Sequence, residues 1–168
     1  QFEPRTPLRS YIGGETHLYL GRQFRLKLQA GQVNEVKLAR GCFHITCKGT
    51  TEPELVKKLL DSWYLEKARA RFPERFSHCF AAFERMGQER PPMKIRRMRT
   101  RWGSLSGMGA LTLNVDLIRT PRECIDYVIT HELCHLQHRN HGPKFYRLLD
   151  QIMPGWEKRK RKLEAALV

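Results

Sequence analysis

No stretch of this 168-residue sequence stays apolar over the length of a bilayer core, and the amino terminus lacks the apolar centre of a secretion signal. A helical membrane span is therefore excluded. Internal repeats and low-complexity tracts are absent too, which leaves one domain by length, large enough to bury a core. Cysteine is sparse: there are five, an odd number, and none forms a Cys-x-x-Cys pair. That pattern argues against an oxidised disulfide scaffold and for a reducing, cytoplasmic setting. No Gly-rich phosphate loop is found. Carboxylates are scarce as well, with 17 acidic residues against 31 lysines and arginines for a net charge of +14. Such an imbalance fits a solvated basic face as well as an anionic partner, whether nucleic acid, nucleotide phosphate or an acidic protein surface. The chain opens on Gln1 and not on Met, as expected of a trimmed fragment.

What is present is a change of period along the chain. Residues 15–28 alternate apolar and polar about Gly21, and "VNEVKLARGCFHITCKG" does so about Arg40-Gly41, so two hairpins are expected. From Thr51 the period lengthens, and a capping-box start at Thr51, Pro53 and Glu54 opens an amphipathic helix. A second helix is expected over "PERFSHCFAAFERMG", stopped by Gly87. Strands return at "MKIRRMRTRWGSLSGMGALTLNVDLI", with a turn at Gly107-Met108-Gly109 and Leu111, Leu113 and Val115 inward. Thr120-Pro121-Arg122-Glu123 is another capping box, and the helix it starts has Ile125, Val128, Ile129, Leu133 and Leu136 on one stripe. His141-Gly142-Pro143 breaks that helix and starts another, and Pro154 starts a last one with the run Lys158 to Lys162. The order describes an α+β domain.

Four of the seven histidines fall in "HELCHLQHRNH", residues 131–141. On a helix, residues four apart lie about 40° apart around the axis. His131 and His135 can therefore offer imidazoles to one ion while Glu132 points toward a water beside it. Two neutral nitrogens, a carboxylate base and an open coordination position are what a zinc hydrolase needs. A third ligand is required. His138 lies about 10.5 Å along the axis from His131, which strains a shared ion. His141 works if the helix ends and the chain swings back, with Asn140 tolerating a left-handed turn. Asp150, Glu157 and Glu164 would demand a more distant helix crossing. His141 is the expected ligand, and His138 a supporting, substrate-facing or surface residue.

The stretch from Thr100 to Trp156 resembles the YgjP-like metallopeptidase family, related to the SprT-like and WLM zinc peptidases. The features that carry this are Arg101-Trp102-Gly103-Ser104, Leu113-Asn114, Ile125-Asp126-Tyr127-Val128, the His131–His135 motif, Asn140-His141 and Phe145. "GGETHLYLGRQFRLKL" is similar to the family's earlier hairpin. Leu105, Gly142 and Gly155 depart from the family's usual Cys, Ser and Asp, at none of the expected ligands. The resemblance implies a zincin-like fold with zinc on His131, His135 and His141 and Glu132 as base. On that reading residues 1–48 are hairpins, 51–90 helices and 93–168 the catalytic part of one 1–168 domain.

Three functions are open to such a chain. The first is a metallopeptidase, in which the strand "ALTLNV" pairs an extended peptide if it is the sheet edge. Tyr146, Tyr127 and Arg101 are then the nearest candidates for a proton donor or oxyanion partner. The second keeps the zinc and takes a nucleotide, with Lys94, Arg96, Arg97, Arg99 and Arg101 as a phosphate grip. A UTP pyrophosphatase role assigned within the family favours it. The third is a nucleic-acid-binding module with a structural zinc, its phosphates met by the basic segments 94–101 and 158–162. Asn114, His138 and Tyr146 complete the candidate substrate contacts. Oligomeric state is left open.

Overall fold

Two left-handed turns organise the first sheet. Leu20 and Gly21 both take positive φ, 49° and 81°, as do Arg40 and Gly41 at 50° and 75°. Paired positive φ values match the right-handed twist of the strands a two-residue hairpin joins. They connect β1 (Thr16–Tyr19) to β2 (Arg22–Gly31), and β3 (Glu35–Ala39) to β4 (Cys42–Lys48). The hairpins meet through β2 and β4, which run parallel, giving the order β1-β2-β4-β3. Period-two alternation then buries Leu26, Phe43, Ile45 and Cys47 on one face. The structure, a computed structural model, describes residues 3–5 and 7–166, so Gln1 lies outside it.

That buried face is covered by α1 (Pro53–Arg85), one helix where the sequence suggested two. The expected break at Pro73 does not occur. Val56, Leu60, Tyr64, Ala68, Phe72, Phe76 and Phe83 form a buried stripe that runs past it, while Pro73 is exposed. Packing along the stripe outweighs one missing hydrogen bond on a face open to water. The expected capping box is also absent, because Glu52 is the N-cap and its side chain makes no cap bond.

The second sheet has the order β5-β7-β6, from β5 (Met93–Arg96), β6 (Gly103–Leu105) and β7 (Leu111–Asn114). Leu111, Leu113 and Val115 are buried as expected. The edge toward the cleft is β6, not the "ALTLNV" strand, which is central with neighbours on both sides. A short 3-10 helix, Val115–Arg119, leads to α2 (Arg122–Cys134), then α3 (Pro143–Ile152) and α4 (Trp156–Ala165). Thr120 does not cap α2: Pro121 is the N-cap, and the Thr120 hydroxyl donates to the Leu117 carbonyl. Pro154 likewise precedes α4 without belonging to it.

The first sheet reaches the second half of the chain through the Leu20–Gly21 turn. The Leu20 and Gly21 amides donate to the carbonyls of Ile118 and Arg119 at 3.0 and 2.8 Å. A Cβ on Gly21 would lie 2.6 Å from Pro121 Cγ, so only glycine lets the turn dock at the start of α2. Arg119 is buried beside it, its guanidinium 3.9 Å from the Tyr64 ring and 3.4 Å from Asp116 Oδ1.

His17 lies against this buried arginine. Burial and the charges of Arg119 and Arg9 hold its pKa down from 6.5 to about 4, despite a 2.7 Å bond to Glu15. Neutral when folded, His17 binds its proton more readily in the unfolded chain. Its contribution is complete above about pH 6.5 and is lost as pH falls toward 4, an effect of roughly 3 kcal/mol. Urea unfolding at about pH 7 and 4.5 should show wild type losing more stability than His17→Gln. Equal losses in the two proteins would remove His17 as the cause.

Candidate metal centre

The HELCH segment sits in a helix anchored on its far side. Arg75 of α1 grips Asp126 of α2 through two hydrogen bonds of 2.7 Å each. Ile125, Val128, Ile129 and Leu133 are buried, which turns His131 and Glu132 toward the second sheet. The helix ends at Cys134 with His135 as its C-cap, and the chain then turns tightly through amides at 136–138 that donate to Leu133 and Cys134. His141 follows, just ahead of α3, where Pro143 occupies the first turn. Asn140 has no positive φ, so the return is made without the left-handed residue expected there.

One ring nitrogen from each of His131, His135 and His141 lies within 4.8 Å of the others. His131 Nε2 and His141 Nε2 are 3.2 Å apart. Two nitrogens bound tetrahedrally at 2.0–2.1 Å from one zinc ion are about 3.3 Å apart, so the spacing suits such an ion. His135 Nδ1 lies 3.0 Å from the His138 carbonyl, which leaves Nε2 for a ligand. Burial and the neighbouring His135 and His141 hold the pKa of His131 down to about 3, and burial with His135 lowers that of His141. Both are therefore neutral at pH 7, as metal ligation requires. Phe145, fully buried on α3, forms the floor, its ring 4.7–5.0 Å from all three imidazoles.

Glu132 is 4% exposed and lies beneath β6. A Cβ on Gly103 would come 3.0 Å from Val128 and 3.4 Å from Glu132 Cγ, so glycine lets this edge strand approach the carboxylate. Two concavities meet at the cluster. One is lined by Trp102, Tyr127, Tyr146 and Trp156 together with His131, Glu132 and His141. The other is lined by Arg101, Ser104, Ser106 and Arg139 together with Glu132, His135 and His141.

The remaining expected contacts divide. Tyr146 and Arg101 each line a concavity, whereas Arg97 and Arg99 line neither. Arg97 is bonded to Asp61 at 3.0 Å and lies 3.9 Å from Asp116. β5 is the edge strand farthest from β6, so β7 stands between Lys94 and Arg96 and the cleft, while Arg97 and Arg99 lie in the connection from β5 to β6. Asn114 is fully buried and donates to the Met98 and Arg101 carbonyls at 2.9 and 2.8 Å, so it shapes the loop that delivers Arg101. His138 lines a separate surface hollow, and its carbonyl meets His135. Asp150 accepts a bond from Trp156, and Glu164 lies 3.9 Å from Lys160. Sequence reasoning did not single out Arg139, Lys160 or Trp156 as cleft residues. Only the spacing of Phe145, four residues after His141, was a legible hint of the floor.

An α+β protein whose His-Glu-x-x-His helix and following loop gather three imidazoles has the makings of a metallohydrolase of zincin-like arrangement. The sequence matches the family described as YgjP-like, metallopeptidase domain, over residues 1–166, and the chain belongs to that family. No curated protein matches it. Two solved structures are similar. The zymogen of jannalysin, a metallopeptidase of Methanocaldococcus jannaschii, is 24% identical, with 55% of this chain and 85% of that one covered and a TM-score of 0.48. The zymogen of abylysin, a metallopeptidase of Pyrococcus abyssi, is 22% identical, with 58% and 99% covered and a TM-score of 0.47.

Proposed function

We propose that this chain is a zinc-dependent peptidase in which His131, His135 and His141 hold one ion and Glu132 is the general base. The observation that carries this reading is the convergence of three imidazoles, two of them 3.2 Å apart at Nε2, beside a buried carboxylate. Zinc bound there supplies Lewis acidity, which acidifies a water and polarises a carbonyl. The residues do the rest. Glu132 takes the proton of the attacking water and returns it to the departing amine. β6 is an edge strand of its sheet, so an extended peptide pairing with the main chain of Gly103–Leu105 would lie across the cluster. Tyr146 and Arg101, on opposite walls, are the donors available to the carbonyl oxygen.

A peptide and a nucleoside triphosphate panel, offered to zinc-loaded protein, tests the substrate class. Peptide cleavage without pyrophosphate or phosphate release is the expected result. Release from a nucleotide with every peptide intact would replace the peptidase reading by a nucleotide hydrolase with Arg101 and Arg139 on the phosphates.

A further inference from the structure

The two concavities beside the histidines differ in chemistry. On the His131 side, Trp156 is stacked between two tyrosines, 6.3 Å from Tyr127 at 9° and 5.5 Å from Tyr146 at 25°. Its indole N–H donates to Asp150 at 2.8 Å, so the wall is built before any ligand arrives. Val128 and Leu163 extend the same apolar surface, and Lys160, 3.9 Å from Glu164, is the one cation in that lining. On the His135 side the lining holds Arg101 and Arg139, and neither makes an ion pair among the described residues. Glu132 is the one acidic side chain in either lining. Guanidinium groups without an ion-pair partner in a cleft suit a planar anion, and on a peptide substrate that anion is a side-chain carboxylate. Both linings share Glu132 and His141, so each sits within a residue or two of any bond held at the cluster.

We propose, resting on the peptidase reading, that this cleft selects peptides with a large apolar side chain on one side of the scissile bond and an aspartate or glutamate on the other. The Tyr127–Trp156–Tyr146 pocket takes the first, and Arg101 with Arg139 takes the second. The apolar pocket excludes water and rewards a ring with stacked contact. The arginines supply charge-assisted hydrogen bonds that a lysine-bearing peptide replaces by repulsion. Selection therefore operates through binding on both sides of the reacting bond.

Fluorogenic peptides that pair Phe or Ala on one side with Glu or Lys on the other, in both orders, read the two preferences. For wild type, kcat/KM should favour Glu over Lys by about tenfold, and Phe over Ala by roughly the same factor. In the doubly reversed variant Arg101→Glu/Arg139→Glu the Glu-to-Lys ratio should fall below one. Trp156→Leu should bring the Phe-to-Ala ratio close to one, and where that chain does not fold, Tyr146→Ala reads the same ratio. Ratios that stay the same in these variants would overturn the proposal. Binding separates it from the peptidase reading. Fluorescein-labelled acidic peptide, titrated onto metal-free protein by anisotropy, should bind about tenfold more tightly than its lysine counterpart, and the reversed variant should lose that preference. Preferential binding without cleavage of any peptide would sink the peptidase reading and leave the cleft's selectivity standing. Equal binding of the two peptides would sink the selectivity.

Discussion

Exchanging Glu132 for glutamine should lower peptide turnover by about 10²–10⁴-fold, the usual contribution of a positioned general base, while zinc content stays near one ion per chain. Glutamine has nearly the shape of glutamate, and shape matters here. The side chain is almost fully buried, and the Gly103 backbone approaches it closely enough that a single added methyl would touch Cγ. The three histidines remain in place, so metal content, measured on the purified protein, should not change. What glutamine lacks is a lone pair basic enough to take the proton of the attacking water. A Glu132→Gln protein with unchanged kcat and full zinc would mean that another group serves as base. A protein that lost zinc together with activity would make Glu132 part of the metal's own shell.

His141→Ala should release the metal, reducing zinc from about one ion per chain to a substoichiometric trace after dialysis. The other two histidines share a rigid platform at the end of α2, but two imidazoles leave half of a tetrahedral shell unfilled. His141 is exposed and stands in the connection between α2 and α3, so its loss should leave the fold of the metal-free chain intact. Thermal unfolding of the metal-free proteins should therefore coincide, which separates ligand loss from misfolding. His138→Ala is the control, because the carbonyl that meets His135 survives the substitution. Full zinc in His141→Ala, or zinc loss in His138→Ala, would exchange the two residues' parts.

Local chemistry was legible wherever a residue's part depends on near neighbours in the chain. Leu20-Gly21 and Arg40-Gly41 turn the hairpins because glycine admits positive φ, and the inward set Leu111, Leu113 and Val115 follows from alternation alone. The gathering of His131 and His135 is likewise a matter of helical repeat, whereas His141 joins them because α2 ends at Cys134 and the chain turns back, ahead of the break expected at Gly142-Pro143, which only starts α3. Pro73 misled because a helix's continuity rests on what its buried stripe packs against, and that partner surface is distant in sequence. The arginines of 94–101 misled for a related reason. Their usefulness to the cleft depends on strand order and on the loop that follows β5: β7 stands between Arg96 and the histidines, and Arg97, in the loop, is bonded to Asp61.

By itself, then, the sequence determined the period of each element, the hairpin turns and a motif that brings two imidazoles and a carboxylate onto one helix end. All of these are written in spacings of a few residues, where backbone geometry leaves little choice. Only the tertiary structure decided that β6 is the open edge, that Phe145 forms the floor, and that residues as distant as Trp102, Tyr127 and Trp156 share one wall. It also decided that Arg97 is bonded to Asp61 while Arg101 and Arg139 face the cleft. Those outcomes depend on long-range packing of sheets on helices, where side chains far apart in the chain compete for the same buried space.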